Sequence, residues 1–287
     1  MTTSNTEEST SRYVQTAKWK IHYNEIGTGT PLVLLHGGGP GASGWSNFSR
    51  NIPFFAERYR VLSIDMPGWG KSDSAVPGDR DHVEALEYVA DELGLDRFDI
   101  VGNSIGGATA VRYTSKNPGR VAHLIPMGAP APGPNIFGPP TAQTSGIRAL
   151  ARGYFDPTPE NFQALVAALT ADPELAKDAD LAAARAEAAL SRPDHLENWR
   201  QAVMNGGETN GPQHLYEALA PALRTLDVPT LIVHGRDDAA VHFENALRLL
   251  AMIPTARLHV FNQCGHWTQM EHADEFNRLV HNFIAGT

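Results

Sequence analysis

Ser104 sits in the run Gly102-Asn103-Ser104-Ile105-Gly106, directly after the apolar stretch Phe98-Asp99-Ile100-Val101. A serine there can act as a nucleophile if a strand enters the pattern and a helix leaves it. The hydroxyl is then lifted from the sheet on a sharp turn, and the glycines let strand and helix approach closely. A weak nucleophile of this kind needs a base, and the base needs an orienting acid. Both candidates lie downstream. His266 stands in Gln263-Cys264-Gly265-His266-Trp267 and could accept the Ser104 proton, then return it to a leaving group. His234-Gly235-Arg236-Asp237-Asp238 offers two adjacent carboxylates, and spacing alone does not choose between Asp237 and Asp238. Upstream, the glycine-rich loop Leu35-His36-Gly37-Gly38-Gly39-Pro40-Gly41 could present backbone N–H groups to a developing oxyanion, with the N–H of Ile105 as second donor. No G-K-[ST] follows these glycines, which argues against a phosphate loop.

The elements around these residues must place them together. Short β-rich runs at 31–35, 59–64, 98–101, 124–127, 230–233 and 257–261 alternate with helical stretches such as 82–93 and 107–116. That alternation predicts a mostly parallel sheet covered by helices, with the site on loops at the carboxyl ends of strands. The chain order Ser…Asp…His is the one an α/β-hydrolase fold requires. At 274–284, Phe276, Leu279, Val280 and Phe283 form the apolar stripe of a surface helix.

The middle of the chain differs. Residues 129–140 are rich in Pro and Gly, and 145–224 read as helical and Ala-rich, most clearly at 180–190. The expected organisation is a core of 13–135 and 225–287 interrupted by a helical cap at 136–224. Residues 1–12, rich in Ser, Thr and Glu, are expected to form a disordered tail.

A net charge of −9 argues against nucleic acid or an anionic membrane as partner. The single cysteine, Cys264, permits no internal disulfide and reads as a small buried residue rather than a rival nucleophile. The twelve histidines show no zinc spacing. With neither leader nor membrane-length apolar run, a cytoplasmic protein is expected.

Three longer runs carry a resemblance: His36-Gly37-Gly38-Gly39-Pro40-Gly41-Ala42-Ser43-Gly44-Trp45-Ser46-Asn47, Val101 to Ala110, and Cys264 to Asn277. Together they resemble the meta-cleavage product hydrolases, carbon–carbon bond hydrolases of aromatic-ring degradation. That resemblance covers nearly the whole chain and is loosest in the cap. It implies a 2-hydroxy-6-oxohexa-2,4-dienoate substrate, no cofactor, and a homo-oligomer, often a dimer. It also implies Ser104 as nucleophile, His266 as base, Asp238 as orienting acid, and an oxyanion hole formed by the N–H groups of Gly39 and Ile105 with Gly38 adjacent. Asn47, Asn103 and Arg192 would contact the carboxylate and 2-oxo end of the dienoate, and Trp267 would wall the pocket. After Gly-Arg-Asp-Asp the family usually continues Arg-Phe-Val-Pro. Here Ala239-Ala240-Val241-His242 follows, which should loosen or redirect the acid loop. An esterase or lactonase using the same triad is the main rival; a non-catalytic receptor is opposed by the complete Ser, Asp and His set. Replacing Ser104 with Ala should lower kcat by several orders of magnitude while leaving substrate binding largely intact, as steady-state kinetics and ligand titration would show.

Overall fold

The computed structural model describes residues 5–206 and 218–287. Its centre is an 8-stranded sheet in the order β1-β2-β4-β3-β5-β6-β7-β8. The strands are β1 (Ser11–Gln15), β2 (Lys20–Ile26), β3 (Pro31–Leu35), β4 (Arg60–Ile64), β5 (Phe98–Asn103), β6 (Val121–Met127), β7 (Thr230–Gly235) and β8 (Ala256–Phe261). From β4 onward across the sheet all pairings are parallel, whereas β2 pairs antiparallel with both β1 and β4. Strands β5 and β7 are buried along their whole length. Their centres, Ile100-Val101 and Leu231-Ile232-Val233, are apolar on successive residues rather than alternating, as expected when helices cover both faces.

Along the chain come α1 (Glu7–Thr10), α2 (Gly44–Phe48), α3 (Ile52–Ala56), α4 (His82–Glu92) and α5 (Ile105–Lys116). On one face of the sheet, Val83, Leu86 and Val89 of α4 pack in a common core with Val111 of α5 and Leu249 of the helix Glu244–Met252. On the other, Phe48, Ile52 and Phe55 of α2 and α3 meet Phe276, Val280 and Phe283 of the last helix, Ala273–Ala285. The spacing of the last three, four and then three residues apart, puts them on one stripe of that helix.

The described part of the segment between β6 and β7 is built mainly of helices, with α6 (Ser145–Phe155), α7 (Pro159–Leu169), α8 (Ala179–Leu190) and α9 (Pro193–Met204). Phe162, Leu165 and Val166 of α7 pack with Ala182 and Ala186 of α8 and Trp199 of α9. Ala240, Trp267 and Met270 of the sheet-bearing part belong to this same cluster. The insert thus completes its core against the loops that carry the acid and the histidine. Part of the stretch read as cap, residues 207–217, lies outside the described residues.

The expectation of a disordered tail over residues 1–12 is corrected from residue 6 onward; residues 1–4 lie outside the described part. Thr6 caps α1 with a reciprocal capping box to Ser9, and Ser11 opens β1. Buried polar contacts tie this segment down. Asn24 donates its amide to the Glu7 carbonyl and the Thr10 hydroxyl, and the His22 ring bonds the Ser11 hydroxyl at 2.8 Å. Composition alone could not show these partners, which lie in β2. That strand gives little sequence signal of its own, because its inward positions include His22 and Asn24.

Asp65, at the end of β4, is the acceptor that organises this corner. It takes the His22 Nδ1 proton at 2.8 Å, the Gly44 N–H at 2.7 Å and the Lys71 N–H at 2.9 Å. Burial alone would raise its carboxyl pKa, but the hydrogen bond and charge of His22, with the amides, hold it below the ordinary value. Its contribution to stability is therefore complete above about pH 4, the ordinary carboxyl range, and fades as pH falls towards the lowered folded value. Asp65→Ala strands His22 and two amides, and should lower the unfolding free energy by about 3–5 kcal/mol, read from urea denaturation at neutral pH.

Candidate active site

Ser104 occupies the turn between β5 and α5 with φ 54° and ψ −116°, a backbone conformation non-glycine residues rarely hold. Such a residue costs roughly 1–3 kcal/mol and persists only where its surroundings fix it. The fixation is visible. Ser104 N–H bonds the Met127 carbonyl at 2.8 Å. A Cβ on Gly102 would run into the Gly106 carbonyl, and one on Gly106 into the Leu35 carbonyl. Strand and helix can cross this closely only because both positions are glycine.

The register of the sheet brings the glycine loop alongside. Leu35 pairs with Gly102 across β3 and β5, so the chain leaving β3 at His36-Gly37 passes the serine. A Cβ on Gly37 would lie 3.3 Å from that of Ser104. Gly39 has φ 118°, and its carbonyl accepts the Trp69 indole N–H at 2.9 Å. Ile105 is the first residue of α5, whose opening N–H groups have no acceptor within the helix. Gly37 and Ile105 thus flank Ser104, and Gly38 and Gly39 follow in the same loop.

His266 and Asp238 meet nearby, where the amide of Asn103, the residue before Ser104, donates to the His266 carbonyl at 3.4 Å. The ring Nδ1 lies 2.7 Å from Asp238 Oδ2, with both side chains buried. An ionised carboxylate only accepts, so Nδ1 carries the proton and Nε2 is left with a lone pair for the serine. Asp238 Oδ1 accepts the N–H groups of Ala240 and Val241 at 2.8 and 2.9 Å. His234, an orienting residue not singled out from the sequence, lies within 3.3 Å of Asp238 Oδ2 through Nε2 and bonds the Val241 carbonyl. The spacing His-Gly-Arg-Asp-Asp is its only signal. Burial would raise the Asp238 pKa, but His266 and His234 outweigh it and keep the carboxyl below its usual range. Asp237 instead faces outward, 3.9 Å from the Arg236 guanidinium, with its side chain 44% exposed.

The altered acid loop is not loosened, contrary to the expectation from its sequence. Besides the two amides on Asp238, the Ala239 carbonyl accepts Gly146 N–H at 2.8 Å and the Ala240 carbonyl accepts the Thr144 hydroxyl at 3.0 Å. The start of α6 thereby holds the loop that Arg and Pro would otherwise stiffen.

Two of the polar residues expected to contact substrate are placed otherwise. Arg192 grips Asp194 through Nε and Nη2 and the carbonyls of Gly70 and Ser72 through Nη1, all within 3.0 Å. Its guanidinium fastens α9 to the loop after β4. Asn47 spends its side chain on the Gly37 N–H and the Ser43 carbonyl, and so shapes the glycine loop from behind. Asn103 differs: its Oδ1 is buried with no hydrogen-bond partner, next to Gly37.

The arginine that borders the glycine loop is Arg185, which sequence reasoning misses among the alanines of α8. It is 3% exposed, and its Nε and Nη1 have no hydrogen-bond partner among the described residues. Its guanidinium lies 5.0 Å from the centre of the buried Trp267 ring. A Cβ on Gly39 would stand 3.9 Å from Nη2, so the cation borders the glycine loop. Burial lowers its pKa to about 10, with only the Tyr154 phenol opposing, and it stays charged at neutral pH. A cleft of roughly 390 Å³ between α8 and the start of α2, lined by Gly41, Trp45, Leu181 and Arg185, reaches this residue from outside.

Cys264 is no competing nucleophile. It is fully buried, and burial with the nearby Glu271 and Asp238 carboxylates pushes its thiol pKa far up.

A strained serine at a β5–α5 elbow, with a buried His–Asp pair after β7 and β8, defines a serine hydrolase. Consistently, the α/β hydrolase fold family matches residues 30–273. Over 97% of its length the chain is 42% identical to a 2-hydroxy-6-oxononadienedioate/2-hydroxy-6-oxononatrienedioate hydrolase of Cupriavidus pinatubonensis, 96% of which is covered. The enzyme of the same name from Escherichia coli K12 is 43% identical over 98% of this chain and 97% of its own length. The meta-cleavage product hydrolase CumD from Pseudomonas fluorescens IP01, in a mutant form complexed with acetates, superposes with a TM-score of 0.82 at 30% identity, covering 96% of this chain and 97% of that one. The protein belongs to the meta-cleavage product hydrolases, the carbon–carbon bond hydrolases of this fold.

The asymmetry between the two carboxylates is directly measurable. Asp238→Asn should cut kcat by about 10⁴-fold through the wrong imidazole tautomer, whereas Asp237→Asn should leave it within about twofold of wild type.

Proposed function

We propose that the substrate is a 2-hydroxy-6-oxo-dienedioate, a meta-cleavage product with a second carboxylate beyond C6. The similarity to hydrolases named for nonadienedioates supports the diacid. Arg185 is the observation that carries recognition of the dienoate end: a buried cation with free donors beside the glycine loop has use for a carboxylate. In this reading Arg185 takes the role that the resemblance gives to Arg192, and Asn103 Oδ1 accepts a hydrogen bond from the 2-hydroxyl end. Asn47 and Arg192 act by holding backbone. Trp267 forms the wall against which Arg185 rests.

The chemistry follows from these positions. The dienol is first ketonised, its proton moving to C5 while Arg185 holds the carboxylate. The 6-oxo group then lies against the N–H groups of Gly38, Gly39 and Ile105, which stabilise the oxyanion as a tetrahedral centre forms. His266 takes a proton from Ser104 or from water as the attacking oxygen adds to C6, and Asp238 stabilises the imidazolium. Collapse breaks the C5–C6 bond. The electron pair released at C5 delocalises onto the 2-oxygen, which takes the proton from His266 and gives 2-hydroxypenta-2,4-dienoate; C6 leaves as the carboxylic acid, here a short dicarboxylic acid, after water has hydrolysed the acyl-serine if Ser104 was the attacking group. Water is the only co-reactant.

The family resemblance also supports a homo-oligomer working in the cytoplasm. Among the described residues no helix is long and apolar enough to cross a membrane. Analytical ultracentrifugation giving a monomer at micromolar concentration would remove the oligomer from this picture.

The test is a panel of 2-hydroxy-6-oxo-dienoates with carboxyethyl, methyl or phenyl at C6, followed by loss of the dienolate absorbance beside a nitrophenyl ester. Preferred turnover of the diacid, abolished by Ser104→Ala, is expected. Ester turnover with every dienoate untouched would make the protein an esterase. Arg185→Gln should reduce kcat/KM for dienoates by about 1.5–3 kcal/mol, the range of a charged hydrogen bond, and leave the ester nearly unaffected. Arg192→Gln should instead lower thermal stability with little change in kcat.

A further inference from the structure

The loop that carries His266 is held from the cap side by contacts the triad itself does not explain. His266 N–H donates to the Leu169 carbonyl at 2.8 Å, and Leu169 is the last residue of α7. Carbonyls at a helix end lack intrahelical partners, so this bond seats the cap helix and the catalytic loop together. The approach is close enough that a Cβ on Gly265 would lie 2.6 Å from the same carbonyl.

Glu271 completes the junction. It ends the short helix Thr268–Glu271, one turn beyond His266. One carboxylate oxygen accepts the Gly265 N–H at 2.9 Å, immediately before the histidine. The other accepts the N–H groups of Ala171 at 2.7 Å and Asp172 at 3.1 Å, just after α7. Three backbone amides from two separate segments thus converge on one side chain, and none of the three belongs to the serine elbow or the acid loop.

We propose that Glu271 is a positioning residue through which the seated cap sets the catalytic imidazole: its carboxylate ties the chain after α7 to the residue preceding His266. Only an acceptor at both oxygens can hold both segments. A glutamine presents an NH₂ to one of them and so must release either Gly265 or the Ala171–Asp172 pair. Aspartate keeps the charge but is too short to span both. The cap is therefore part of the base's mounting as well as the substrate's roof.

The measurement is the rate at which a fluorophosphonate labels Ser104 in the full-length protein, which needs a positioned His266 and no knowledge of the dienoate. It is paired with a circular-dichroism melt, and with kcat and KM on whichever substrate wild type turns over. Glu271→Gln is expected to label about tenfold or more slowly while still folded, with kcat falling in step and KM moving less than about threefold, because small misplacements of a reacting group are costly. Hydrogen exchange at Ala171 and Asp172 should rise in the same variant. Labelling within about twofold of wild type, or a loss wholly accounted for by KM, overturns the proposal. If the Gln variant does not fold, Glu271→Asp is judged by the same two readings. Failure of the diacid panel would leave the labelling result standing, so the two readings fall separately.

Discussion

Everything in this molecule is arranged around one strained residue. Ser104 at φ 54° has to be held against its own preference, and the holding is done by a parallel sheet whose central strands are dry on both faces. The turn is enforced by two glycines that let β5, α5 and the end of β3 come within touching distance. The resulting crossing brings the start of the glycine loop at Gly37 and the first turn of α5 against Ser104. The proposed oxyanion donors and nucleophile therefore depend on one packing constraint rather than on independent adjustments.

The second constraint is electrostatic. Asp238 is buried without a cation as permanent partner, and its charge is retained by His266, His234 and two backbone amides. Such a carboxylate fixes the imidazole tautomer and can stabilise the imidazolium only while those neighbours stay put. The neighbours in turn lean on the insert, through Thr144 and Gly146 at the acid loop and Leu169 at the histidine loop. Arg185 projects from the same insert toward the glycine loop. Ser104 and the glycine loop belong to the sheet; Arg185 and the bracing of Asp238 and His266 belong to the insert.

Pocket chemistry in this family is thereby separable from bond-breaking chemistry. The sheet carries Ser104, Asp238 and His266, while the insert carries the buried guanidinium whose unpaired donors, in the proposed function, receive the dienoate carboxylate. The trade-off is that a buried cation is expensive until an anion arrives, an instance of local instability kept at a functional site.

Motifs whose chemistry depends on neighbours in the chain are legible in the sequence. The serine elbow, the glycine loop, the histidine and the parallel core strands all announce themselves through local spacing and continuous apolar runs. The resemblance to the family rests on those same runs. What sequence could not supply is contact between segments far apart in the chain. Asp237 and Asp238 are neighbours with opposite surroundings, and only the fold turns one towards His266. Arg192 and Arg185 are seven residues apart and both positively charged; which one is consumed by carbonyls and which is left facing the site is decided by where α8 and α9 dock. The N-terminal strand is hidden for the same reason, since Ser11 and Thr10 find their partners at His22 and Asn24 across a strand pairing. Periodicity reports which face of an element is buried, but the pairing of polar groups is a property of three-dimensional packing, and for this protein that packing chose the acid, the arginine and the cap contacts.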